Sequence, residues 1–210
     1  MDIASARLNK WSGYYESVIV FILTALIIYP AVKSVHTNII GDGVDTIEYY
    51  SYFSAVKYNI THKLPPLWKT QIYRYPVGVN TSLSDGRLFV LLGGLLSFVL
   101  PSVLSYNLLL ISFFVLNGFV SYLFYKSLSG SIFLGFLGGI INGFSYWVIM
   151  NGYGAINVFL MFGLPLLGLV IQSVIRHGLN LNNIFRIFVG LYILSLCSAE
   201  IFLFNFILFL

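Results

Sequence analysis

From residue 88 onward the chain is almost continuously apolar, and its breaks fall at Pro101, 126–130, 151–154 and 176–183. They divide it into runs at 103–125, 131–150, 155–175 and 184–210, each close to the roughly 20 helical residues that cross a bilayer core of about 30 Å. An earlier apolar run, 17–32, stands before a polar segment at 33–87. The run 88–100 is different. As a helix it covers about 20 Å and is closed by Pro101, which predicts an interfacial or re-entrant helix rather than a crossing. The expected fold is therefore all-α and integral to a membrane, a single domain over 1–210. It has a first span, an external loop at 33–102 with interfacial helices, and about four further spans.

Composition strengthens that picture. Hydrophobic residues make up 59% of the chain and charged residues 9%, whereas soluble domains carry about 25% charged residues. The mean hydropathy is +0.91. The formal charge is +4, but the 11 Lys and Arg are scattered singly and form no nucleic-acid-binding patch. They read as interfacial anchors and topology signals. Cys197 is the single cysteine and lies inside an apolar run, so neither a disulfide framework nor a thiolate metal site is expected. The first span follows Arg7 and Lys10 and lacks a small-residue cleavage site, which reads as a retained anchor.

With 88–100 not crossing, Lys126 and the Arg176/Arg186 loop fall on the same side as Arg7 and Lys10. This predicts a cytoplasmic N-terminus and an external first loop at the plasma membrane. The loop itself holds Lys57, Lys63, Lys69, Arg74 and Arg87, which weakens the bias. Two N-x-S/T triplets, at Asn59 and Asn80, fall in this loop and are usable only on the non-cytoplasmic side. In the run 131–150, Gly135, Gly139 and Gly143 recur every four residues, a stripe expected to admit a neighbouring helix closely. The last run ends "IFLFNFILFL" without a polar flank, which suggests a missing C-terminal half or a partner membrane subunit.

The acids concentrate in one place. Of seven in the chain, Asp42, Asp45 and Glu48 lie within "GDGVDTIEYYSYF". Gly41-Asp42-Gly43 signals a turn, and Asp45 suits the N-cap or first turn of a helix running to about Tyr58. On it Glu48 and Tyr49 neighbour Asp45. Taken singly, each acid is explained by capping and the helix dipole, worth about 0.3–1 kcal/mol. Together, neighbouring carboxylates suit a general base or a divalent-cation site, with Asp42 and Asp45 as the ligands if a metal binds. Downstream, "THKLPPLWKTQIYRYPVGVNTS" places Lys63, Lys69 and Arg74 where lipid phosphates or a diphosphate could meet them, although an ordinary interfacial belt has the same composition. Glu200 is the acid within the later runs. An ionised carboxylate there costs roughly 2.5–3.5 kcal/mol, so it is a functional candidate as well.

Gly41-Asp42-Gly43-Val44-Asp45 and Tyr75-Pro76-Val77-Gly78-Val79-Asn80, in this order after a first span, resemble the N-terminal half of the GT-C superfamily of polytopic membrane glycosyltransferases. The resemblance implies inverting transfer of a sugar from a polyprenyl-phosphate-linked donor at the non-cytoplasmic face. It places the catalytic role on Asp45, or on Asp42, with Glu48, Tyr49, Lys63, Lys69 and Arg74 toward substrate. Thr46 stands where many members have Glu, so use of a divalent cation such as magnesium or manganese is left open. Two other classes fit the residues: a non-catalytic membrane scaffold or assembly subunit, and a small transporter built on Glu200.

Overall fold

The computed structural model describes residues 44–67, 69–70, 79–80, 86–144, 162–178 and 180–197. The expected first span, Asp42, Arg74 and Glu200 lie outside them. The described residues are all-helical apart from one small strand pair. The helices are α1 Val44–Thr61, α2 Arg87–Leu96, α3 Ser102–Ser129, α4 Ile132–Phe144, α5 Gly163–His177 and α6 Leu181–Cys197. Between α1 and α2, β1 Lys69–Thr70 pairs antiparallel with β2 Val79–Asn80, Lys69 opposite Asn80 and Thr70 opposite Val79.

The buried face of α1 runs through Tyr49, Tyr52, Phe53 and Val56, while Ile47, Glu48, Ser54 and Lys57 stay exposed. Its buried face meets α2. That helix is only 10 residues, about 15 Å, and does not reach across a bilayer core. The structure places it inside the assembly, packed by α1, α3 and α6. Phe89 is fully buried, with the rings of Tyr49, Phe53, Tyr106 and Phe113 at centroid distances of 6.3, 5.6, 5.2 and 5.9 Å. Gly93 and Gly94 make the fit possible, since a Cβ on the first would fall inside the Phe53 ring and one on the second against Val56.

Among the described helices, α3 is the one long and apolar enough to cross a membrane. Its 28 residues span about 42 Å. Pro101, its N-cap, terminates the turn that ends α2, and Gly130 closes it at φ 70 with its N–H donating to Lys126 O (2.9 Å). The helix then doubles back. The glycine stripe of α4 lies on α3 as its spacing predicts: a Cβ on Gly139 would sit 2.8 Å from Gly118 O, and one on Gly143 2.7 Å from Gly118 Cα. Gly135 lies against Lys126, so α4 runs antiparallel to α3.

Two ties fix α5. Phe162 N donates to Asn117 Oδ1 (2.8 Å), and Gln172 Nε2 donates to Ser127 O (2.8 Å). Both join residues 45 apart in sequence, so α5 runs parallel to the C-terminal half of α3. Asn117 also satisfies an N–H at the α5 start that a helix would otherwise leave without an intrahelical partner. A hairpin leads to α6, where Asn180 Oδ1 accepts from Asn183 N (2.8 Å) and Asn183 Nδ2 donates to Gly178 O (2.9 Å). Gly163 against Leu194 and Gly190 against Leu167 make α5 and α6 antiparallel.

Candidate functional site

The acidic residues open α1 as expected. The helix begins at Val44, with Asp45 in its first turn and Glu48 one turn on. Glu48 is exposed, and its Oε1 accepts a hydrogen bond from the Tyr52 hydroxyl, an i, i+4 pair that orients the carboxylate along the helix. Tyr49 turns inward instead. It is 7% exposed, edge-on to Tyr52 and Phe89, with its ring over Gly86. Gly86 is the N-cap of α2 and has φ 66, a conformation that glycine adopts without strain. Among the described residues no side chain caps α2, so its first N–H groups and Arg87 bring positive potential beside the Tyr49 side of α1. Arg87 was not singled out by sequence. The glycine before it, ahead of an apolar run, was the available signal.

The far end of α1 is built differently. His62 N donates to Tyr58 O (3.0 Å), Lys63 N to Ile60 O (3.1 Å) and Leu64 N to Asn59 O (2.8 Å). With Lys63 at φ 58, this is a left-handed helix stop of the Schellman type, and Pro65-Pro66 follows it. Asn59 Nδ2 donates to Pro66 O (3.3 Å) and holds the Pro-Pro segment against the helix. Asn59 is fully buried, so the folded chain does not present its N-x-T triplet. His62 stacks on Tyr58 with centroids 3.9 Å apart. Lys57 Nζ donates to Ser97 O (3.1 Å) and lies over the Phe98 ring, which puts a cation at the C-terminal end of α2.

These positions separate residues that sequence grouped together. Lys63 lies beyond the C-terminal end of α1, and the 16 residue steps from Asp45 to Thr61 alone cover about 24 Å of axis. Asp45 and Lys63 therefore do not meet one ligand atom. Lys69 is in β1, opposite Asn80. Among the described residues no group of three His, Cys, Asp or Glu could hold a metal ion, and Asp42 lies outside that set.

The opposite end of the bundle is basic. Arg176 Nη2 donates to Ser127 O (2.6 Å), and Lys126 Nζ to the Tyr122 hydroxyl (3.2 Å), so these cations gather where α3 and α5 end. At the other end, α1 rests on the start of α3, with Phe53 and Tyr50 6.0 and 6.5 Å from the Tyr106 ring. Tyr106 and Lys126 are 20 residues apart on one helix, about 30 Å. Between them a cleft of ≈ 240 Å³ lies among α3, α4 and α5, lined by Asn117, Ser121, Tyr125 and Asn142 with Phe124, Leu164 and Pro165. Neither it nor the Asn117, Ser127 and Gln172 ties were foreseen, although polar residues inside apolar runs were the visible sign. The chain matches no family model, no curated protein and no solved structure.

Proposed function

We propose that this chain is an integral membrane protein with a GT-C-like glycosyltransferase site at the start of α1, facing the non-cytoplasmic side. The observation that carries the membrane part of the reading is the separation along α3; the transferase part rests on the motifs at 41–45 and 75–80. The acidic helix packs at one end and the Lys126/Arg176 group lies at the other, about 30 Å away, the thickness of a bilayer core. Broad apolar exposure on α4 and α6 supports it too: Phe133 and Ile141, and Leu181, Phe185, Phe188 and Tyr192, are each more than half exposed, a surface that soluble proteins rarely present. In this reading α3 is one of five spans and the first lies at 17–32; α4, α5 and α6, with 13, 15 and 17 residues each shorter than a full crossing, belong to the longer apolar runs 131–150, 155–175 and 184–210. The N-terminus and the Lys126/Arg176 end are cytoplasmic.

The chemistry proposed is inverting transfer. Asp45, or Asp42, takes the proton of an acceptor hydroxyl as that oxygen attacks the anomeric carbon of a polyprenyl-phosphate-linked sugar, and the lipid phosphate leaves. Glu48, held by Tyr52, orients the acceptor or a divalent cation. Lys69 and Arg74 remain candidates for the leaving phosphate. Arg87 joins them, since it opens α2 beside the Tyr49 side of α1. Lys63 is the weaker candidate for that phosphate, because the length of α1 separates it from Asp45.

The test removes one carboxylate: Asp45→Asn abolishes transfer while the amount of protein in the membrane is unchanged. Unaltered products from that variant refute the assignment. A scaffold role instead predicts a stoichiometric partner on purification, with Asp42 and Asp45 both dispensable. A transporter built on Glu200 predicts uptake that Glu200→Gln removes.

A further inference from the structure

The cleft among α3, α4 and α5 lies about 22 Å along α3 from Tyr106, so it is separate from the acidic helix. Its lining carries no charged side chain and sets a few polar groups in a mainly apolar wall. Asn117 and Ser121 are each 1% exposed, Asn142 Nδ2 donates to the Tyr125 hydroxyl (3.3 Å), and Phe124, Leu164 and Pro165 supply apolar wall. A tyrosine hydroxyl that accepts still has its proton to give, and a carboxamide that donates still has its oxygen to receive. Tyr125 and Asn142 therefore offer a donor and an acceptor side by side, with Ser121 one helical turn before Tyr125 on the same face of α3. The nearest basic side chains along the two helices are engaged elsewhere, Lys126 on Tyr122 and Arg176 on the Ser127 carbonyl. A phosphate or carboxylate placed here would be desolvated without a counter-charge, which is strongly unfavourable for an isolated ion.

We propose that this cleft binds the uncharged hydroxyl-and-ester head of a membrane lipid, of the diacylglycerol class. Three observations select that ligand. The lining pairs hydrogen-bond donors and acceptors with no charge. The volume, ≈ 240 Å³, equals about eight water-sized shares and suits a glycerol ester head rather than a whole lipid. The Asn142 side is bordered on α4 by exposed Leu137, Ile140 and Ile141, an apolar rim along which acyl chains would lie. The inference rests on the membrane part of the proposed function and is independent of its catalytic part.

The experiment uses the full chain in phosphatidylcholine nanodiscs containing a photoreactive diacylglycerol, with a photoreactive phosphatidic acid of the same chains in parallel. The expected result is labelling of peptides from α3, α4 and α5 by the diacylglycerol probe, displaced by unlabelled diacylglycerol and not by free glycerol. Tyr125→Phe, which keeps the ring, and Ser121→Ala each reduce that labelling about threefold to tenfold, as loss of one neutral hydrogen bond does. Equal labelling by phosphatidic acid overturns the proposal. So does displacement by free glycerol, or labelling that both substitutions leave unchanged. A chain that enters the discs but is not labelled overturns this inference alone. A chain that does not enter them overturns the membrane reading and this inference together.

Discussion

Lys63 shows how a single residue can set an element and still escape the sequence. Helix stops of this kind favour Gly or Asn, and neither is present at 62–64, so the sequence placed the end of α1 near Tyr58. The structure carries it to Thr61 and turns the chain at Lys63, with φ 58. A left-handed backbone costs a side-chain-bearing residue roughly 1–2 kcal/mol, partly offset in glycine by its greater freedom when unfolded. Lys63→Gly is therefore expected to stabilise the protein by about 0.5–1 kcal/mol, seen as a higher thermal midpoint in detergent. The opposite case is Gly93. Phe53 is fully buried and has nowhere to move, so Gly93→Ala drives a methyl into its ring and is expected to cost about 2 kcal/mol or more. Unfolding of the detergent-purified variant measures it, and a stability equal to the parent would mean that α1 and α2 are not packed this closely.

At the scale of elements, strong periodicity and punctuation were legible. The start of α1 at Asp45, the division at Pro101, the break at 126–130 and the close contact along Gly135, Gly139 and Gly143 all have counterparts in the structure. Partners distant in sequence were not legible. Nothing local says that Asn117 caps α5 or that Gln172 reads the Ser127 backbone, because each contact closes a 45-residue separation. The place of α2 was hidden for the same reason. Its apolar run reads as an interfacial or re-entrant helix too short to cross, and the structure adds its packing partners: Gly93 and Gly94 fit it beneath α1, and its other side meets α3 and α6. Arg87, next to that glycine-capped start, is expected to matter for chemistry: Arg87→Gln lowers transfer about tenfold or more while leaving the thermal midpoint within a degree or two, if its charge meets the leaving phosphate. Unchanged transfer would remove it from the site.

For the whole molecule, the 30 Å between the Tyr106 and Lys126 ends of α3 has a topological consequence. In a chain whose Cys197 is replaced by alanine, a cysteine at Ser54 on α1 is expected to react with a membrane-impermeant maleimide from the non-cytoplasmic side. One at Ser129 reacts only after the cytoplasmic face is opened. Both positions are exposed, so burial does not confound the comparison. Reaction of both from the same side would mean that α3 does not cross. The central claim is that the carboxylate opening α1 performs sugar transfer, and its most direct test is incorporation from a radiolabelled polyprenyl-phosphate sugar into membranes containing either the parent or Asp45→Asn. Loss of a general base predicts a fall of about 10²–10⁴-fold at equal protein level, whereas equal incorporation by the two would contradict the account.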